Sequence, residues 1–307
     1  MDKIAITTGD PNGIGAEITI KALEALNLPS EKIVLVSNRD VLNFYGGAEL
    51  LKKYKLIDIP YLKSDICSGK VTKEAGEFSF QSLKKVCSIS PKAIVTAPVA
   101  KNALHLAGHI YNGQTEILQH FLAHDNQLAE MLFVAGNFKV LLLTRHCALK
   151  DISLTKDIVI TKVKNLVTTF QSHFGIQNPR FALCGFNPHS GEDGILGNEE
   201  IEILSPAVKK LRQLNIDITN PLPADTLFVQ AAKCFYSGEK DDFDCYIANY
   251  HDQGLIPIKT VAGDKTVNMT IGLDIIRTSP GHGTAFDIAG KNIADCTGMI
   301  EAIKAVL

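Results

Sequence analysis

Three histidines in this sequence follow short apolar runs, and their imidazoles could bind one divalent metal ion together. His146, His189 and His251 each occur within a few residues of the end of such a run. Neutral imidazoles suit zinc or cobalt and leave positions open for a substrate, whereas magnesium would keep additional waters. The spacing of the three matches no local metal-binding motif, so ordinary loop histidines at strand ends are the alternative.

A second set of residues could bind an anion. Lys259, Asn268 and Arg277 lie in one stretch of the chain after the third histidine. The guanidinium fork of an arginine can bind two oxygens of a phosphate or carboxylate at once, and a lysine and an amide add further donors. The stretch therefore predicts an anion site, and the alternative is a solvated surface face.

Two glycine-containing segments could lie against a ligand. Gly9 and Asp10 begin a glycine-rich turn that could present backbone N–H groups to an anion. The turn is neither a dinucleotide fingerprint nor a P-loop, so a tight turn without a ligand explains it equally well. Towards the other end of the chain, glycines bracket His282 and Asp287, which suits a loop over a flat ligand. The alternative there is a helix capped by Thr284.

These residues need elements that bring them together, and the apolar pattern indicates strands and helices in alternation. Amphipathic stretches at 15–26 and 155–173 predict helices. The apolar runs predict buried strands at 4–8, 33–36, 93–96, 131–135, 140–143, 181–183 and 245–248. This alternation indicates an α/β fold with a mostly parallel sheet. Polar clusters follow five of the runs directly, and ligands of such folds bind beyond the carboxyl ends of the strands.

Composition excludes several classes of protein. The chain has 307 residues, a length that favours two domains. Its formal net charge of -2 lacks the basic excess of proteins that bind nucleic acid through the phosphate backbone. It has neither a run of about 20 apolar residues that could span a bilayer nor an N-terminal signal pattern. The seven cysteines include no C-x-x-C pair, so we expect free thiols in a reducing cytoplasm.

Six motifs occur along the chain in the order of one family. They are T-G-D-P-N-G-I-G-A-E at 8–17, T-A-P-V-A-K at 96–101, N-P-H-S-G-E at 187–192, P-L-P-A-D-T-L-F at 221–228, Y-H-D-Q-G at 250–254 and R-T-S-P-G-H-G-T-A at 277–285. Together they resemble the 4-hydroxythreonine-4-phosphate dehydrogenase family of pyridoxal phosphate biosynthesis. The resemblance covers almost the whole chain. It implies oxidation of a small phosphorylated hydroxy-amino acid by NAD or NADP, followed by decarboxylation, with a divalent metal ion (zinc, cobalt or magnesium).

The resemblance also implies roles for individual residues. It makes the three histidines the metal ligands, contributed by both subunits of a homodimer at each site. The implied substrate contacts are Gln114, Thr115, Lys259, Asn268 and Arg277. The implied cofactor contacts are Gly9, Asp10, His282, Asp287 and Asp295.

The segment 282–295 is similar to the adenosine-side loop of isopropylmalate and isocitrate dehydrogenases, which bind NAD or NADP without the dinucleotide fingerprint. The implied fold therefore has two α/β/α lobes of the isopropylmalate dehydrogenase type with a central cleft. We expect residues 1–110 with 256–307 to form the lobe on the cofactor side. We expect residues 111–255 to form the second lobe, which carries the metal and dimer contacts.

Gln114 departs from the family, which has a substrate-contacting histidine at this position. The departure leaves open a related dehydrogenase for a four-carbon sugar acid 4-phosphate of the threonate or erythronate type. A phosphate acyltransferase, which would not need three histidines, and a non-catalytic metal or phosphate binding protein are further alternatives. The sequence does not assign the general base: Asp252 is a candidate, and its other possible role is to orient the adjacent His251.

Overall fold

The computed structural model describes residues 2–124 and 127–307, which form two compact units. One comprises the chain up to Ala129 together with Val267–Leu307, and the other comprises Glu130–Thr266. These boundaries differ from the expected ones after 110 and 255. The helix Gln114–Leu122 belongs to the first unit because its apolar face packs into that unit's core, and the helix His251–Ala262 packs likewise into the second.

Strands and helices alternate along most of the chain. Within the described ranges the strands are β1 (Ile4–Thr7), β2 (Ile33–Ser37), β3 (Lys55–Asp58), β4 (Ala93–Thr96), β5 (Glu130–Ala135), β6 (Phe138–Leu142), β7 (Arg180–Leu183), β8 (Asp217–Ile218), β9 (Cys245–Ala248), β10 (Val267–Ile271) and β11 (Arg277–Pro280). Every strand predicted from an apolar run is confirmed, with ends that differ by at most two residues.

The α-helices in the same ranges are α1 (Gly15–Leu26), α2 (Arg39–Phe44), α3 (Ala48–Lys53), α4 (Lys73–Ser88), α5 (Lys101–Leu106), α6 (Gln114–Leu122), α7 (Lys156–Ser172), α8 (Ser205–Gln213), α9 (Ala224–Ser237), α10 (His251–Ala262) and α11 (Thr297–Lys304). Asn38, Thr72 and Thr155 begin α2, α4 and α7 by accepting a hydrogen bond from a backbone N–H of the first turn. None of the helices described combines the length and apolar character needed to cross a membrane.

The strands of the first unit follow the order β3-β2-β1-β4-β11-β10. All neighbours in this order are parallel except β10 and β11, which are antiparallel. Alternate residues of the strands point to opposite faces and, except in the edge strand β3, almost all are buried on both. One face packs against α1 and α11, and the other against α4 and α6. This α/β/α layering explains why β1, β2 and β4 are nearly continuous apolar runs rather than alternating patterns.

The second unit has the strand order β5-β6-β9-β7-β8, parallel except for the β5–β6 hairpin. Helices α9 and α10 pack on one face of these strands. On the other face the ring of Phe170 in α7 packs edge-on against Phe181 of β7, with ring centroids 5.5 Å apart. The parallel run β6-β9-β7 brings the carboxyl ends of three strands, each followed by one of the three histidines, to one edge.

Strand β11 was not predicted from the sequence because it contains no aliphatic residue. Its four residues, Arg277 to Pro280, are nevertheless all buried. It pairs with β4 on one side and β10 on the other, so its backbone is fully enclosed. Polar residues in such a strand need partners, and Thr278 donates to the carbonyl oxygen of Ala302 in α11 at 2.7 Å.

Candidate functional site

The turn after β1 lies directly against the backbone that follows β4. Gly9 has a φ of +67°, and a Cβ atom built on it would stand 2.2 Å from the carbonyl oxygen of Pro98. The amide of Asp10 donates to the same oxygen at 2.9 Å. Only glycine fits here, because any side chain would clash and would strain a left-handed backbone. The turn therefore joins two adjacent strand ends of the first unit.

Gly9→Ala is expected to lower the free energy of unfolding by about 3 kcal/mol, from left-handed strain and the clash together. Gly175→Ala is the matched control, because Gly175 has a φ of +70° and no atom within 4 Å of its built Cβ. The control should lose only about 1 kcal/mol. Urea unfolding of both variants measures the difference, and equal losses would contradict the close approach at Pro98.

Asp10 is a fully buried carboxyl in this turn. Its Oδ1 accepts from the amide of Asn12 at 2.9 Å, and it also accepts from the amide of Ala100, in the segment after β4. Its Oδ2 is buried and has no hydrogen-bond partner among the described residues. Burial raises the pKa of Asp10 to about 6, although the two amide hydrogen bonds act to lower it. The carboxyl thus ties the two turns together at an energetic cost when it is ionised.

The raised pKa of Asp10 makes the free energy of unfolding depend on pH. Its stabilising contribution is present below about pH 4, where the carboxyl is protonated in both states, and is lost as the pH rises through 6. The increase in the pKa of Asp10 from 3.8 to about 6 corresponds to up to about 3 kcal/mol of the free energy of unfolding. The neutral isostere Asp10→Asn should therefore be more stable than the wild type at about pH 7.5 and similar to it at about pH 4. Urea unfolding at both pH values measures this, and a pH-independent difference would refute it.

Arg277 lies in the middle of the first unit and is only 2% exposed. Its Nε and Nη2 both donate to the hydroxyl oxygen of Thr96, at 2.8 and 2.6 Å, at the carboxyl end of β4. Its Nη1 is buried without a hydrogen-bond partner. Burial lowers the pKa of Arg277 to about 9, opposed by the charge of Glu116, so the guanidinium remains charged at neutral pH. A buried cation with an unused donor is suited to an anion, and the alternative of a solvated surface face is wrong for Arg277.

Gln114 contacts the backbone just after the end of the same strand, β4. As the first residue of α6 it donates from Nε2 to the carbonyl oxygen of Ala97 at 3.1 Å, one residue beyond Thr96. Its Oε1 is buried without a partner, as is the Oδ1 of Asn268 in β10. Thr115 is 6% exposed. The first unit thus brings Gln114 and Arg277 together around residues 96–97, with unused polar atoms on both side chains.

The segment 282–295 has no helix or strand, so the alternative of a helix capped by Thr284 is wrong. The carbonyl of Thr284 accepts from the amide of Ile14 at 3.0 Å, which anchors the segment to the first turn. His282 donates from Nδ1 to the carbonyl of Gly283 at 3.0 Å, while its Nε2 is buried without a partner. The carboxylates of Asp287 and Asp295 are exposed. Hydrogen bonds from the hydroxyl and the amide of Thr297 lower the pKa of Asp295, and electrostatic attraction by His282 and Lys21 acts in the same direction.

The three candidate metal ligands all lie in the second unit, after β6, β7 and β9. The rings of His146 and His251 have centroids 5.5 Å apart. Within 2–124 and 127–307, no three His, Cys, Asp or Glu side chains are gathered closely enough to hold a metal ion. The structure therefore brings together two of the predicted ligands, and His189 is not part of a complete set within one chain.

A carboxylate holds each of two imidazoles by its Nδ1. Asp252 Oδ1 lies 2.7 Å from Nδ1 of His251, and Glu192 Oε1 lies 2.5 Å from Nδ1 of His189. Such pairs fix the tautomer and leave Nε2 free to coordinate a metal. The donor chemistry of these histidines therefore fits a divalent metal ion. The contact of Asp252 with His251 favours its orienting role over that of a general base.

His189 lies in an unusual left-handed turn. The residues 189–193 all have positive φ, and four of them, His189, Ser190, Glu192 and Asp193, are not glycine. This conformation costs about 1–2 kcal/mol for each such residue, so other contacts must hold it. Glu200 contributes by accepting from the amide of Asn187, just before the turn, at 2.7 Å. Strain of this kind clusters at ligand-binding segments of proteins.

The remaining predicted site residue, Lys259, lies in α10 of the second unit. The sequence analysis missed three residues that hold the candidates in place: Thr96, which binds Arg277; Glu192, which binds His189; and Glu17, whose Oε1 accepts from the amide of Ala294 in the segment 282–295 at 2.8 Å. Thr96 begins one of the quoted motifs, and Glu192 stands three residues after a candidate ligand. Glu192 could have been identified as a polar side chain next to a candidate ligand in the sequence, whereas Thr96 and Glu17 lie far along the chain from the residues they contact.

Comparison with known proteins identifies one family over the whole chain. The model of the pyridoxal phosphate biosynthetic protein PdxA family matches residues 6–306. A 4-hydroxythreonine-4-phosphate dehydrogenase of Sulfurihydrogenibium sp. is 39% identical, over 100% of this chain and 98% of the relative. A putative D-threonate 4-phosphate dehydrogenase of Oceanobacillus iheyensis is 38% identical, over 99% of this chain and 96% of that relative.

Solved structures agree with this. The solved structure of a putative 4-hydroxythreonine-4-phosphate dehydrogenase from Salmonella typhimurium superimposes with a TM-score of 0.86 at 35% identity, covering 100% of this chain and 98% of that one. A beta-decarboxylating dehydrogenase from Thermococcus kodakarensis matches with a TM-score of 0.54 at 13% identity, over 98% of this chain and 81% of that one. The second likeness concerns the fold alone and confirms the predicted isopropylmalate dehydrogenase type.

Proposed function

Because the chain belongs to the pyridoxal phosphate biosynthetic protein PdxA family, we propose that it oxidises 4-phosphooxy-L-threonine with NAD and a divalent metal ion. The oxidised product then loses carbon dioxide to give 3-amino-2-oxopropyl phosphate, a step in pyridoxal 5'-phosphate biosynthesis. The observation that carries this proposal is Arg277, a buried charged guanidinium with an unused Nη1. A phosphorylated substrate supplies the anion that such a group requires.

The side chains that would bind the substrate are the ones with unused polar atoms. Arg277, held by Thr96, would bind anionic oxygens, and Asn268 and Gln114 would accept or donate hydrogen bonds. The family resemblance adds Thr115 and Lys259 to this set. Because Nε and Nη2 of Arg277 both donate to Thr96, this contact fixes the direction in which the unused N–H groups of Nη1 point. The substrate anion is therefore met by a preorganised group.

His146, His189 and His251 would hold the metal ion. Asp252 and Glu192 contact Nδ1 of two of these imidazoles, so that Nε2 of each would be left to bind the ion. When bound, a divalent metal supplies a positive charge that polarises substrate oxygens. Zinc or cobalt suits three imidazoles, and magnesium would need additional waters.

Residues 282–295, with Gly9 and Asp10, would hold the adenosine side of NAD or NADP. The exposed carboxylates of Asp287 and Asp295 suit the hydroxyls of a ribose, and the unused Nε2 of His282 suits a further polar group of the nucleotide. When bound, the nicotinamide supplies the hydride acceptor. Binding of the nucleotide by this loop would not need a dinucleotide fingerprint.

A homodimer would complete the metal site. Each chain brings His146 and His251 together but does not add a third ligand among its described residues. Large apolar side chains near the ligands in sequence are exposed: Leu149 by 67%, Ile195 by 80% and Ile201 by 54%. A second copy of the chain would cover such residues and supply His189 or its equivalent.

A second candidate is a dehydrogenase for a sugar acid phosphate of the threonate or erythronate type. It is favoured by Gln114, which stands where the family has a histidine. The relative from Oceanobacillus iheyensis is named a putative D-threonate 4-phosphate dehydrogenase, with similar identity to this chain. These substrates lack the amino group, and the phosphate site at Arg277 would serve them equally.

A panel of 4-phosphorylated hydroxy acids, assayed by NADH absorbance with the wild type and Gln114→His, tests both candidates. Gln114 offers two N–H donors on Nε2, one of which is used on the carbonyl of Ala97, and an acceptor at Oε1. If the family histidine only orients substrate, Gln114→His should change kcat/KM on 4-phosphooxy-L-threonine by less than about tenfold. A large gain on this compound, together with loss on a sugar acid phosphate that the wild type prefers, would overturn the first assignment in favour of the second.

A further inference from the structure

One ion pair of α1 holds the far end of the loop 282–295. Glu17 is 3% exposed, and its Oε1 accepts from the amide of Ala294 at 2.8 Å and from Nζ of Lys21 at 2.8 Å. Lys21 Nζ also donates to the carbonyls of Asn292 and Ala294, at 3.1 and 3.0 Å. Both backbone polar groups of Ala294 are therefore fixed by side chains that lie 277 and 273 positions away in sequence.

This loop has no secondary structure of its own, so its conformation depends on such contacts. Its near end is anchored by the bond between Thr284 and Ile14. In the part of the loop between its two ends, two glycines allow a close approach to residues 68–69. Gly69 lies against the carbonyl of Phe286, and Gly290 lies against the side chain of Ser68. After residue 290, the polar contacts of the loop with helix α1 are those of Glu17 and Lys21.

The ion pair of Glu17 and Lys21 holds the loop 282–295 rigid and is not an ordinary surface ion pair. A carboxylate buried to this extent needs a balancing charge and hydrogen bonds, and Glu17 has both on Oε1, whereas its Oε2 is buried without a hydrogen-bond partner among the described residues. Lys21 provides the balancing charge and, with its other donors, binds the loop. Because Asp295 directly follows Ala294, fixing the backbone of Ala294 also restricts the position of Asp295.

We propose that Glu17 and Lys21 are positioning residues for the nucleotide cofactor, acting through the backbone at 292–294. This inference rests on the proposed function, since it assumes that Asp295 and the rest of the loop contact NAD. The pair touches neither substrate nor cofactor. It holds the loop in its binding conformation before the nucleotide arrives, so that ordering the loop does not weaken binding.

The test compares Lys21→Met with Lys21→Arg, which keeps the charge and the donors. Lys52→Met is the matched control, because Lys52 forms an exposed i,i+3 pair with Glu49 that touches no loop. Three quantities are measured on the full-length enzyme: the Kd for NADH by fluorescence titration without substrate, the KM values with kcat, and hydrogen exchange of the peptide 282–296. Glu17→Gln serves as a second variant should Lys21→Met not fold.

Lys21→Met is expected to raise the NADH Kd and the KM for NAD about tenfold, since it removes the hydrogen bonds of one charged group. The substrate KM and kcat should stay within about twofold, the peptide 282–296 should exchange faster, and Lys21→Arg should restore most of the affinity. Lys52→Met should resemble the wild type. If Lys21→Met does not fold, Glu17→Gln should show the same split between NAD and substrate.

Two different failures are distinguishable. If the wild type binds NADH and the Kd is unchanged in Lys21→Met or Glu17→Gln, the positioning role is wrong while the proposed function stands. Equal increases in the KM for NAD and for substrate would also refute it, because a general loss of structure moves both. If the wild type binds neither NADH nor NADPH, the cofactor assignment fails and this inference fails with it.

Discussion

Alanine in place of His146, His189 or His251 is expected to lower kcat/KM by about 10³-fold or more, the largest loss among the variants considered. Two of these imidazoles are already oriented by carboxylates, and none has a structural role in a core. Each variant should therefore fold normally but bind the metal ion weakly. Steady-state NADH formation, with metal content measured by atomic absorption, tests this. His105→Ala, at an exposed histidine of α5, is the control and should keep full activity and metal content.

Mixed dimers test whether the three histidines at one metal site come from different chains. When two inactive histidine variants are mixed, a hybrid dimer can contain one complete ligand set, provided that the two altered residues come from different chains at one site. His146 and His251 lie close together in one chain, with ring centroids 5.5 Å apart, which favours a common chain. The mixture His146→Ala with His189→Ala should recover activity, whereas His146→Ala with His251→Ala should not. No recovery in any mixture despite proven subunit exchange would mean that each site is built from one chain.

The positions of these histidines could be predicted from sequence because local patterns determine them. Short apolar runs, separated by amphipathic stretches, form parallel strands that are buried on both faces. Residues that follow such strands gather at one edge of the sheet. His146, His189 and His251 meet this condition, and the structure places the first and third side by side.

Other features depend on contacts that no local pattern reports. Strand β11 has no aliphatic residue, and its parallel pairing with β4 joins segments that are far apart in sequence. The left-handed turn at 189–193 contains Ser190, Glu192 and Asp193, which give no local signal for positive φ. The boundaries of the compact units differ from the expected lobe boundaries because α6 and α10 pack against cores that an amphipathic pattern alone does not identify.

Arg277→Lys is expected to lower kcat/KM by about 10³-fold, near 4 kcal/mol, through the KM for substrate rather than the KM for NAD. Lysine keeps a positive charge but has no planar fork. It would lose the double contact with Thr96, which leaves that hydroxyl without its donors, and could no longer direct a second donor at the anion. A lysine in so buried a position also loses its charge more readily than an arginine, which weakens binding of an anion further.

Arg180→Lys is the matched control, because Arg180 forms a half-exposed ion pair with Asp217 on the surface of the other unit. It should behave as the wild type in both KM values. The measurement is the two KM values with kcat, accompanied by inhibition with inorganic phosphate. Phosphate should inhibit the wild type competitively with substrate and inhibit Arg277→Lys much more weakly. Equal effects of Arg277→Lys on NAD and substrate, with unchanged phosphate inhibition, would show that the buried guanidinium supports the fold and does not bind the substrate anion.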